Sequence, residues 1–96
     1  MEIDNRVIEL IRDFTAQANE AARKYKEIRA RIDYLSTYAP LGAGAEIKQL
    51  TPKKAGQWGR YKAHEYCRAM TCIKYGIDED ALREMQDDSL ILNRID

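Results

Sequence analysis

The stretch from Asp4 to Leu35 constrains the rest of the chain more than any other feature. Its apolar residues fall at Val7, Ile11, Phe14, Ala18, Ala21, Tyr25, Ile28, Ile32 and Leu35. The steps alternate four and three, which places all of them on one narrow helical stripe. Between them lie Arg6, Glu9, Arg12, Asp13, Glu20, Arg23, Glu27 and Arg31, the charges of a solvated face. No Gly or Pro interrupts the run, and Ala, Leu, Glu, Lys and Arg are good helix formers. Such a helix is roughly 45–50 Å long at about 1.5 Å per residue, longer than a compact small domain is wide. Its stripe needs a cover.

The remaining chain supplies candidates for that cover. The first helix is expected over about 4–37, with Asp4 or Asn5 at its cap, and Pro40 drives Ala39 out of helical conformation. A loop is expected over 38–50, with room for a short helical turn around Ala45–Leu50. Thr51-Pro52 then reads as a helix start, Thr as cap and Pro at the first helical position, with Leu50 as a staple. The second helix is expected over 52–75, with an inward stripe of Gly59, Ala63, Tyr66, Cys67, Met70, Ile73 and Ile77. Gly76 ends it, and Asp78 caps a third, acidic helix over 79–87. The tail 88–96 is apolar enough to dock, on its own subunit or on a neighbour.

These elements predict an all-α fold, a long antiparallel helical hairpin plus a shorter acidic third helix, as one domain of 96 residues. A second helix of this length cannot enclose the longer first stripe, so an oligomeric helical bundle is expected. Its interface would use Val7, Ile11, Phe14, Ala18, Ala21, Leu90, Ile91 and Leu92. The alternative is a monomer whose third helix and tail fold back on the hairpin.

Charge is balanced overall and segregated locally. The formal net charge is zero. Residues 21–75 nevertheless carry twelve bases against four acids, whereas the two ends are acidic by the same margin. A local field matters more to an approaching partner than the total. The two cysteines are too few for a disulfide framework and suggest reduced thiols in the cytoplasm. The start Met-Glu-Ile-Asp has no basic segment or apolar run of a signal peptide. No run approaches the 18 or so apolar residues of a membrane span.

Chemistry-bearing patterns are sparse. His64 and Cys67 share a helical face while Cys72, five residues on, points to another, and no further ligand or orienting group completes a zinc or thiol site. The pairs Glu9/Asp13 and Glu84/Asp88 have arginine neighbours and read as solvated acidic faces. The Gly42-Ala43-Gly44 run lacks the preceding strand and lysine of a phosphate loop. The expectation is a protein that is not an enzyme and takes no metal or cofactor.

A basic, aromatic middle is the stronger feature. Arg29 and the run Lys53, Lys54, Trp58, Arg60, Tyr61 and Lys62 combine cations with flat rings. Cations neutralise phosphates, and rings stack on bases or apolar ligand parts. Tyr25 and Tyr66 lie on the stripes and read as core. The chain thus reads as a small homo-oligomeric helical binding protein that binds or sequesters an anionic partner. That partner is a nucleotide or the nucleic-acid-binding apparatus of another protein. The alternatives are a direct nucleic-acid-binding regulator and a purely structural assembly subunit. Short, helical, tyrosine-rich and charge-segregated, it looks like the small accessory proteins of phages and other mobile elements, which often inhibit or sequester host factors.

Overall fold

A computed structural model describes residues 3–39 and 41–95. Helix α1 spans Asn5–Tyr38, α2 Gly44–Lys74 and α3 Glu79–Glu84, and a 3-10 turn follows at Asp88–Leu90. The described residues contain no strand, and no helix among them is long and apolar enough to cross a membrane. Asp4 caps α1 by accepting a hydrogen bond from the Arg6 N–H at 2.8 Å. Ala39 leaves the helix at φ −139°, ψ 49°, outside the α region that a following proline disfavours.

The connection between the long helices is much shorter than expected, covering only 39–43. Thr51-Pro52 does not start α2 but lies inside it. The Thr51 hydroxyl donates back to the Ile47 carbonyl at 2.8 Å instead of capping. Tertiary contacts override the local signal. Ala43 is buried, Ile47 is half-buried, and Glu46 pairs with Arg31 of α1 at 3.0 Å. Pro52 and Lys48, whose carbonyl loses its N–H partner there, are both exposed, so water can satisfy the gap.

The early start makes α2 nearly as long as α1, and the two run antiparallel along a rod of 58 × 20 × 16 Å. The radius of gyration is 17.0 Å, against about 13 Å for a compact domain of this size. One apolar cluster gathers Val7, Ile8, Ile11, Cys72, Ile77, Leu82 and Leu90. A second gathers Ala18, Ala21, Ala22 and Tyr61, with Leu92 and Ile95 packed on it. Between them lies a polar layer in which the buried Arg68 donates to the Thr15 hydroxyl at 2.9 Å. Gly76, at φ +65°, ends α2, and Ile77 N–H reaches back to the Cys72 carbonyl at 2.8 Å. This is the Schellman closure that a left-handed glycine permits.

The chain covers its own first stripe. Val7, Ile11, Ala18 and Ala21, expected at an oligomer interface, are buried inside the single chain. Leu90 is likewise core, and Leu92 packs on the second cluster, while Phe14 is half-buried and Ile91 exposed. The tail is held in place by polar clamps on the long helices. Asn19 donates to the Ile91 carbonyl at 2.8 Å and accepts the Asn93 N–H at 2.7 Å, gripping an extended backbone from both sides. Arg68 bonds the Leu90 carbonyl at 2.7 Å and pairs with Glu79. Arg12 bonds Asp87 at 2.8 Å and the Ser89 hydroxyl at 2.7 Å.

These clamps make the tail sensitive to acid. The Ser89 hydroxyl, Arg12 and the Ser89 N–H hold the Asp87 carboxyl down at about 2, and Arg68 lowers that of Glu79. A depressed carboxylate stabilises the fold fully above its ordinary value and loses that contribution as pH falls through the folded one. For Asp87 the window runs from 3.8 down to about 2. Urea unfolding at pH 5 and pH 2.5 should show lower stability at pH 2.5. Asp87→Asn should flatten part of that difference; an unchanged difference would count against the clamp.

The second helix is rotated relative to the expected stripe. Its inner face carries Gln57, Tyr61, Arg68 and Cys72, whereas Gly59, Ala63, Tyr66, Met70 and Ile73 are exposed. Cys67 is half-buried, and of the expected set Ile77 alone is buried, beyond the helix end. The third helix stops at Glu84, earlier than expected, with Gln86 in the left-handed region at φ 53°.

Candidate functional site

The basic-aromatic residues divide between two flanks of the hairpin. A helix turns about 100° per residue, so Arg60 and Lys62, two apart, point in nearly opposite directions. On one flank the rings of Tyr25 and Trp58 stand 5.8 Å apart, centroid to centroid. The Lys62 ammonium lies 4.8 Å from the Trp58 ring centre. Around Tyr25 stand the Arg29 guanidinium at 5.4 Å and the Lys54 ammonium at 6.0 Å. Each distance is within cation–π range. Trp58 is 39% exposed, so the platform faces solvent.

Tyr61, expected in the same site, is not available to a ligand. It is 1% exposed and belongs to the second apolar cluster. Burial pushes its hydroxyl pKa up, and the neighbouring Glu65 carboxylate adds to that, against a lowering contribution from the Ile95 backbone. Tyr61 therefore supports the platform from beneath, its ring 6.2 Å from that of Trp58. Arg60 faces the other flank, along a groove with Gln57 and His64 of α2 and Gln17, Glu20 and Lys24 of α1. Lys53, seven residues before Arg60, shares its face by helical spacing and is exposed. Four of the seven expected residues thus come together: Arg29, Lys54, Trp58 and Lys62.

Two participants were not expected there. Tyr25, taken as core, is half-buried at the rim and carries the Arg29 and Lys54 contacts. Arg94 of the tail approaches closely enough to act on the Tyr61 hydroxyl. It also lines an open groove of about 570 Å³ with Lys26, Arg23 and Asn19 of α1. The Tyr25 position follows from the α2 rotation, because the stripe residue meets the tilted ring of the exposed Trp58 rather than a closed core. Tyr66, the other tyrosine taken as core, is 65% exposed. Glu65 brings a counter-charge to the site, pairing with Lys62 at 3.4 Å.

The remaining chemistry-bearing residues are tied up locally. His64 donates from Nδ1 to the Arg60 carbonyl at 2.8 Å. Burial raises the Cys72 thiol pKa, outweighing the nearby Arg68. Among the described residues, no group of three or more His, Cys, Asp and Glu is placed to hold a metal ion. Glu9 pairs with Arg12, as its neighbourhood in the sequence suggests. No protein-family model, curated protein or solved structure matches this chain.

Proposed function

We propose that this chain is a non-enzymatic helical binding protein that engages or sequesters an anionic partner through the Tyr25–Trp58 platform. The observation that carries the reading is the half-exposed indole, backed by a tyrosine ring and capped by the Lys62 ammonium. A flat ligand stacking on such a ring gains about 1–3 kcal/mol, and the surrounding cations suit its phosphates. One exposed ring with Lys62 over it, and with Arg29 and Lys54 around the adjoining Tyr25, matches a nucleotide-sized ligand better than a long strand. An acidic protein surface that mimics or carries such groups would use the same contacts.

Trp58 is the chain's one tryptophan, so its fluorescence reports this site. Titration with mixed nucleoside triphosphates should quench it saturably, and Lys62→Glu should weaken binding about tenfold, the equivalent of roughly 1.4 kcal/mol. Unchanged fluorescence with a folded protein would overturn the nucleotide reading. Single-stranded oligonucleotides in the same titration test the direct nucleic-acid alternative, whose affinity must fall steeply with salt. A purely structural subunit would respond to neither.

The proposal also takes the protein to be homo-oligomeric and cytoplasmic. Free thiols at Cys67 and Cys72 favour a reducing compartment. The chain's surface of 6709 Å² favours assembly. A compact monomer of this mass exposes about 5,700 Å², leaving an excess of about 1,000 Å².

A further inference from the structure

We infer that the outer face of α2 is a self-complementary interface on which a second copy of the chain packs, with the two α2 helices antiparallel. The inference rests on the homo-oligomeric reading and moves its interface from α1 to α2. Ala55, Gly59, Ala63, Tyr66, Met70 and Ile73 follow one another at steps of three and four, so they form a continuous stripe. All are exposed, and none carries a charge. The stripe faces away from α1, opposite the inner residues Tyr61, Arg68 and Cys72.

The order of side-chain sizes along the stripe selects the occupant. Place a two-fold axis between Lys62 and Ala63 and run the second α2 antiparallel. Tyr66 then faces the small Gly59 of the other copy, Met70 faces Ala55, and Ile73 faces Pro52. Large residues fill the half of the stripe where the partner is small, the alternation that lets facing layers interdigitate. A parallel pairing would set tyrosine against tyrosine and glycine against glycine.

Gly59 provides an independent reason. Glycine inside a helix is destabilising by about 1 kcal/mol relative to alanine. Nothing within the chain requires it there, since an added Cβ meets no atom within 4 Å. Gly56, at the edge of the same face, is equally unobstructed. A tyrosine ring from a second copy would occupy the space over Gly59. The surface in excess of a compact chain, about 1,000 Å², is spread along the whole rod and is enough to supply the roughly 800 Å² that each partner buries in a standard interface.

The test is sedimentation equilibrium of the full chain with Gly59→Lys and Tyr66→Ser variants, each checked for helicity by far-UV circular dichroism. The wild type should sediment at twice the chain mass. Gly59→Lys, which improves helix propensity in an isolated chain, should weaken association about 100-fold, the scale of a central interface residue. Tyr66→Ser should also weaken it, and because Tyr66 is 65% exposed, the single-chain fold should survive. A wild type that stays monomeric at all concentrations would overturn both this interface and the homo-oligomeric reading. An oligomer unaffected by both substitutions would overturn the α2 face alone.

Discussion

Arg68→Ala should lower the unfolding free energy by about 3 kcal/mol, the lower end of the range for breaking a buried ion pair. Arg68 is 2% exposed and ties together three parts of the molecule: Thr15 of α1, Glu79 of α3 and the Leu90 carbonyl of the tail. The lower end applies because Glu79 is 42% exposed and recovers water when released. Thr15 also keeps a partner, since its hydroxyl donates to the Ile11 carbonyl at 2.7 Å. The Leu90 carbonyl and the vacated volume carry the cost. Small domains are stable by only about 5–15 kcal/mol, so the urea midpoint should fall by about 1–3 M. Arg68→Met refills the volume without the hydrogen bonds and should cost about half as much. In both variants, hydrogen exchange should reach the amides of 88–95 first. An Arg68→Ala protein that melts like the wild type would show that the polar layer is not the joint between tail and hairpin.

Tyr61→Ala should cost about 3–5 kcal/mol, as for other large buried aromatics. Its ring fills the second cluster among Ala18, Ala21 and Ala22, where short side chains on α1 leave room for it. Leu92 and Ile95 pack on the same cluster, so the end of the tail should loosen with it. Tyr61→Phe keeps the ring and should cost about 1 kcal/mol, the net worth of ordinary hydrogen bonding. Trp58→Ala, three residues away and 39% exposed, should change stability by less than about 1 kcal/mol while abolishing nucleotide binding as read by titration calorimetry. Urea denaturation of the three variants separates the roles. The opposite order, with Trp58→Ala the most damaging, would mean that the indole belongs to the core and is no platform.

Much of the hairpin is legible in the sequence because α1 has one apolar stripe and no rival to it. Asp4, Gly76 and Asp78 mark their boundaries by chemistry that tertiary packing does not contradict. The second helix is different because it has two candidate faces. Its buried face carries Gln57, Tyr61 and Arg68, and its exposed face carries Tyr66, Met70 and Ile73, so hydrophobic periodicity alone selects the wrong one. Arginine is rarely buried unless paired, and its partner Glu79 lies on another element. The start of α2 is hidden by Thr51-Pro52, a strong local signal overruled by the Glu46–Arg31 pair and the burial of Ala43. At the candidate site, the residue types are readable but their division between flanks depends on that same rotation. Asn19 gives no signal at all, because its role exists only once the tail lies beside it.

The Thr15–Arg68 layer also settles how the two long helices align. Apolar contacts carry no direction, so the clusters, even with Tyr61 seated among the alanines at 18, 21 and 22, set the register less sharply than a hydrogen-bonded charge does. A slip of one turn, about 5.4 Å, would carry the guanidinium toward Ile11 in one direction and Ala18 in the other. Neither side chain can accept a hydrogen bond, and the Glu79 and Leu90 contacts would be drawn out of reach. A buried charge without partners is strongly disfavoured. The arginine therefore acts as a register pin: the apolar clusters make the helices associate, and the polar layer admits one alignment.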